Sequence, residues 1–111
     1  PQLRALSAAV QENVGASDRV MLEVTEDTEG IAVGIQVGYV IDPRPTLMLP
    51  DSYDAAVYDT LVDTFEPDVV VLRSNSRLRD ILSDRLAKSP VKLSGPYSDY
   101  SIYVFGQRAA N

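Results

Sequence analysis

The chain has 111 residues, enough for one domain and too few for two. Apolar residues make up 45% and charged residues 23%, an ordinary balance for a globular protein, and there is no cysteine and no histidine. Disulfides, thiolate metal sites, Ser-His-Asp and Cys-His nucleophile systems and nearly all zinc sites are thereby excluded, and a net charge of −6 argues against a nucleic-acid partner bound through its phosphates.

Leu3, Leu6, Val10 and Val14 recur at spacings of three and four, with alanines between them. This predicts an amphipathic helix ending at Gly15. Residues 19 to 24 (RVMLEV) follow a turn-like Ala16-Ser17-Asp18 and read as a short buried strand. The polar, acidic stretch 25 to 29 reads as a loop.

Residues 30 to 41 admit two readings. As a strand they put Ile31, Val33, Ile35, Val37 and Tyr39 on one face, and their β-branched and glycine content favours that state. As a helix they line Gly30, Gly34 and Gly38 along one face and let its backbone approach a sheet closely. Topology favours the helix, because the neighbouring runs look like parallel strands that need a crossover. The three glycines are not a phosphate fingerprint. Such a loop needs closely spaced glycines directly after the first strand, and the loop here is acidic.

Asp42-Pro43-Arg44-Pro45 is a stiff extended connector. Thr46 to Leu49 reads as a second strand. Asp51 or Ser52 is the expected cap of the next helix, with Tyr53, Val57, Leu61 and Phe65 on its core face. Glu66-Pro67-Asp68 ends that helix. Val69 to Leu72 is four apolar residues in a row, as expected of a strand buried on both faces. Ser74, Asn75 or Ser76 then caps a helix that buries Leu78, Ile81, Leu82 and Leu86, turns Arg77, Asp80, Asp84 and Lys88 outward, and closes at Pro90. Val91 to Leu93 and Tyr100 to Phe105, separated by turn residues, read as an antiparallel edge ribbon.

The order predicts an α/β fold: a three-layer Rossmann-like sandwich with a mostly parallel sheet, a central strand order of 2-1-3 and an antiparallel C-terminal edge strand. In such sheets ligands sit beyond the carboxyl ends of the strands, at the switch point between the first and third. Those ends carry Glu23, Thr25, Glu26 and Asp27, and Arg73, Ser74 and Asn75. Oxygen ligands of this kind could hold a hard cation or a sugar's hydroxyls, although a solvated loop and a helix cap explain them as well. Asp42 and Arg44, in a turn expected to adjoin this edge, either pair locally or let Arg44 meet an anionic group. Tyr97, Tyr100, Tyr103 and Phe105 form an aromatic cluster suited to core packing or to stacking on a sugar. The candidate ligand or partner residues are therefore Glu23, Glu26, Asp27, Asp42, Arg44, Arg73 and Asn75, with no catalytic residue, metal ligand or cofactor assigned.

Several segments together resemble one family pattern. RVMLEV is followed by a stretch running into Tyr39-Val-Ile-Asp-Pro-Arg-Pro45, then TLML, then a helix leading into Glu-Pro-Asp-Val-Val-Val-Leu (66 to 72). Gly95-Pro-Tyr and Tyr-Ser-Ile-Tyr-Val-Phe (100 to 105) close it. This resembles the soluble C-terminal domain of GT-C-type polytopic membrane glycosyltransferases, relatives of the protein mannosyltransferases and aminoarabinose transferases. The resemblance covers residues 16 to 107, and its motifs are structural. It implies a noncatalytic accessory domain on the extracytoplasmic side of the cell membrane. Its partner would be the membrane-spanning part of the same chain, with a lipid-linked sugar donor as a further candidate partner. The start at Pro1 and the lack of a run of about 18 apolar residues fit a piece of such a protein. A free-standing α/β ligand- or protein-binding regulatory module is the alternative.

Overall fold

A computed structural model describes residues 2–74, 76–86, 91–92 and 100–105. Five strands, β1 (Val20–Glu23), β2 (Thr46–Leu49), β3 (Val69–Arg73), β4 (Val91–Lys92) and β5 (Tyr100–Val104), form one sheet in the order β2-β1-β3-β5-β4. β1 is parallel to β2 and to β3, in registers that set Val20 opposite Thr46 and Val69. β5 runs antiparallel to β3 and to β4. The sheet is thus mostly parallel, the central order is 2-1-3, and the antiparallel pairing lies on the C-terminal side. β3 is the middle strand of the five.

The helices are α1 (Gln2–Glu12), α2 (Thr28–Ile41), α3 (Ala55–Phe65) and α4 (Arg77–Ile81), the last followed by a 3-10 turn over Ser83–Arg85. Strand alternation sorts their partners. Val20, Leu22, Val69, Val71 and Ile102 point to one face and pack with Leu6 and Val10 of α1 and Val33, Val37 and Ile41 of α2. Met21, Val70, Leu72, Tyr103 and Phe105 point to the other and pack with Tyr58 and Val62 of α3 and Leu78 and Leu82. These are the three layers of an α/β sandwich.

Residues 30–41 are helical, despite their strand-like composition. Asp27 accepts from the Gly30 amide and starts the helix, and the crossover between parallel β1 and β2 requires it. Two of the three glycines serve close packing. A Cβ on Gly30 would lie 1.8 Å from the Thr25 carbonyl oxygen, and one on Gly34 would lie 2.3 Å from the Met48 sulfur. A Cβ on Gly38 would meet nothing within 4 Å. Gly30→Ala should therefore lower stability measurably, whereas Gly38→Ala should raise it by about 0.5–1 kcal/mol through helix propensity alone. Chemical denaturation of the two variants checks this; an equal effect at both positions would contradict the packing.

Four local expectations are corrected. α1 stops at Glu12, and Gly15 lies in the turn that follows, where its amide donates to Asp18. α3 starts at Ala55 with Asp54 at its N-cap, so neither Asp51 nor Ser52 caps it. Its buried face is Tyr58 and Val62; Tyr53 and Val57 are 40% and 42% exposed. The stripe turns by one residue because Tyr58 can be buried with its hydroxyl satisfied: it donates to the Pro50 carbonyl and accepts from the Tyr53 amide. Finally, α4 ends at Ile81, and only Leu78 and Leu82 are fully buried, with Ile81 and Leu86 half-buried at the rim. Lys88, Pro90, Leu93 and residues 94–99 lie outside the described residues.

Candidate functional site

The carboxyl ends of β1 and β3 lie side by side, and the loops leaving them diverge to opposite faces of the sheet. One goes to α2, the other to α4. This is the switch point at which open α/β sheets bind ligands.

Glu23, the last residue of β1, is 2% exposed. Its Oε1 accepts from the Arg73 amide at 2.9 Å, and the Ser76 hydroxyl donates to its carboxylate. Burial pushes its carboxyl above the ordinary value, and the nearby Asp51 charge acts in the same direction. The hydrogen bonds from Arg73 and Ser76 oppose that shift. Ser76 in turn caps α4 by accepting from the Arg79 amide at 3.0 Å. Glu23 thus ties the end of β1 to the turn between β3 and α4.

Asp51 reaches the same turn from the loop after β2. Its two oxygens accept from the amides of Arg77 at 3.3 Å and Leu78 at 3.1 Å. It caps α4, a helix 26 residues further on, rather than the helix next to it in the chain. Arg77 donates to the Tyr53 carbonyl at 2.6 Å, and Arg79 to the Ser74 carbonyl at 2.5 Å. Tyr58 lies beneath, its phenol pushed up chiefly by burial.

Asp27 accepts at Oδ1 from the Gly30 amide and from the Thr25 hydroxyl, both at 2.7 Å. These bonds, the amide first, hold its carboxyl below the ordinary range. Glu26 beside it is exposed, as is the side chain of Arg73, whose charge reaches both Glu23 and Asp27. Asn75 lies outside the described residues.

Asp42 and Arg44 do not join this group. α2 has 14 residues and carries the chain about 21 Å back across the sheet, so the turn after it lies at the amino ends of the strands. Val20 donates there to the Pro45 carbonyl, and Arg44 donates from Nε to the Gly15 carbonyl at 2.7 Å and from Nη1 to that of Ile41 at 3.1 Å. Arg44 therefore anchors a loop and the end of a helix. The expectation that this turn adjoins the ligand edge is corrected: a crossover helix separates the two by the height of the sheet.

The aromatic cluster is core where it is described. Tyr100 packs with the α1–α2 layer, Tyr103 and Phe105 with the α3–α4 layer, and all three are at most 8% exposed. The Arg85 guanidinium lies 4.9 Å from the Phe105 ring centre. Tyr97 is outside the described residues.

Chemically, the edge is a set of oxygens turned inward. Glu23, Asp27 and Asp51 each accept backbone N–H bonds that set a loop or start a helix, and among the described residues no cluster of three or more acidic side chains is placed to hold a metal ion. Sequence reasoning missed Asp51 and Tyr58 as members of this edge. Each owes its place to a tertiary contact, and neither stands out by spacing. Comparison of the chain with family models, with curated proteins and with solved structures gives no match.

Proposed function

We propose that this chain is a noncatalytic accessory domain of a membrane glycosyltransferase that uses a polyprenyl-phosphate sugar donor. It packs on the membrane-spanning part, on the extracytoplasmic side, and helps position the substrate. The observation that carries the noncatalytic reading is the engagement of Glu23, Asp27 and Asp51 with backbone amides at the strand-end edge where open α/β sheets bind ligands. The transferase reading rests on the resemblance. The segments that carry it are Tyr39–Ile41 in the last turn of α2, Asp42–Pro45 leading into β2, and Val69–Leu72 in the middle strand.

The coding sequence around the domain tests this reading. Roughly eight or more apolar helices of about 20 residues are expected ahead of residue 1. A reading frame that opens near residue 1 would overturn the transferase reading and favour a free-standing binding module. The purified chain should not turn over a polyprenyl-phosphate sugar. Turnover that disappears when one carboxylate is changed would overturn the noncatalytic assignment.

A further inference from the structure

α2 is apolar on the wrong side as well as the right one. Val33, Val37 and Ile41 face the sheet, as a crossover helix requires. Ile31, Ile35 and Tyr39 recur at intervals of four on the opposite face and are 61%, 63% and 80% exposed. Single exposed apolar residues are ordinary, but three large ones in a row on one helix face mark an interaction surface. A row at i, i+4 and i+8 is the ridge that packs into the groove of another helix.

Charge selects the occupant. Glu26, Asp27 and Glu29 stand exposed at the start of this helix, where they outnumber the nearby Arg73, and at its end Asp42 is exposed two residues from Arg44, whose guanidinium bonds the carbonyls of Gly15 and Ile41. The stripe thus begins at an acidic helix start, on a chain of net charge −6. A second copy would bring like charges together, and an anionic bilayer would be repelled. We infer that the outer face of α2 docks an apolar helix carrying basic residues, contributed by a protein partner. This rests on the accessory-domain reading and deepens it: the surface would be the seat of the domain on its membrane-spanning partner.

The test uses the 111-residue chain and two synthetic helical peptides, rich in leucine and alanine, one with lysines at both ends and one with glutamates. Methyl NMR should show saturable shifts at Ile31 and Ile35 with the lysine peptide. Affinity should be at least tenfold weaker for the glutamate peptide and should fall as salt is added. The exposed double substitution Glu29→Lys with Asp42→Lys should reverse the preference, and Ile35→Ser with Tyr39→Ser should abolish both interactions while leaving the circular dichroism unchanged. Equal binding of the two peptides, self-association in sedimentation, or binding to phosphatidylglycerol vesicles through these residues would each overturn the inference. A reading frame without upstream spans would overturn the transferase reading and leave a charge-selective peptide result standing.

Discussion

Val70→Asp should leave the chain unfolded or nearly so. Val70 is fully buried in β3, paired with Met21 of β1 on one side and Tyr103 of β5 on the other. Its side chain points into the layer formed by Tyr58, Val62, Leu78 and Leu82. A carboxylate there is cut off from solvent among apolar side chains. Either it ionises without a partner or it takes up a proton, and both are costly. A loss of about 4–5 kcal/mol or more is expected, against a total stability of about 5–15 kcal/mol for a domain of ordinary stability. Urea denaturation followed by circular dichroism measures it. The amides of β3 should also be among the slowest to exchange with solvent. A variant within about 1 kcal/mol of the parent, or fast exchange at Val69 to Leu72, would show that β3 is not the centre of the sheet.

Glu23 should separate hydrogen bonding from charge. A nonpolar replacement such as Glu23→Leu leaves the Arg73 amide without its acceptor and removes the acceptor of the Ser76 hydroxyl, at about 1–3 kcal/mol for each group left unsatisfied. Glu23→Gln keeps an acceptor for Arg73 and removes the buried charge, so it should be close to neutral at low pH. The pH dependence has a definite sign. The folded-state pKa of Glu23 is raised above its ordinary value of 4.5, mainly by burial. The folded state then holds this proton more tightly than the unfolded state does. The contribution of Glu23 is fully present below about pH 4.5 and is lost as pH rises through the folded-state value. Glu23→Gln should therefore gain on the parent as pH rises from 4 towards 7. A difference that shrinks over that window would mean that the ionised carboxylate is the favoured form, and that the two hydrogen bonds outweigh burial.

Glu23 also illustrates the limits of reading along the chain. Its place at the carboxyl end of β1 is evident from RVMLEV and the loop that follows, and so is its membership of the candidate edge. Its burial is not. An acidic residue at the end of a strand, one residue before the polar Thr25-Glu26-Asp27, reads as the start of a solvated edge. Only the approach of the β3–α4 turn, 50 residues away, gives it an amide and a hydroxyl to accept from and covers it.

What the amino-acid order determined is whatever depends on local periodicity. The four apolar residues from Val69 to Leu72 specify a strand buried on both faces, and the asparagine- and serine-rich turn before Arg77 places a cap next to a helix. The alternation of helical and strand-like runs, with right-handed crossovers, is enough to order the first three strands as 2-1-3. Even residues 30–41, whose composition favours a strand, were decided as a helix by the crossover that parallel strands demand. What tertiary structure alone decided is which of several adequate stripes faces the core and which distant groups meet. In and just before α3 both Tyr53-Val57-Leu61 and Tyr58-Val62 are apolar rows. The second is buried because the Pro50 carbonyl and the Tyr53 amide lie where the Tyr58 hydroxyl arrives. Asp51 caps α4 rather than the helix that follows it in the chain, and Asp42 and Arg44 lie a sheet's height from Glu23. Periodicity fixes a residue's angle about its own element, whereas these pairings depend on how the elements are set against one another in space.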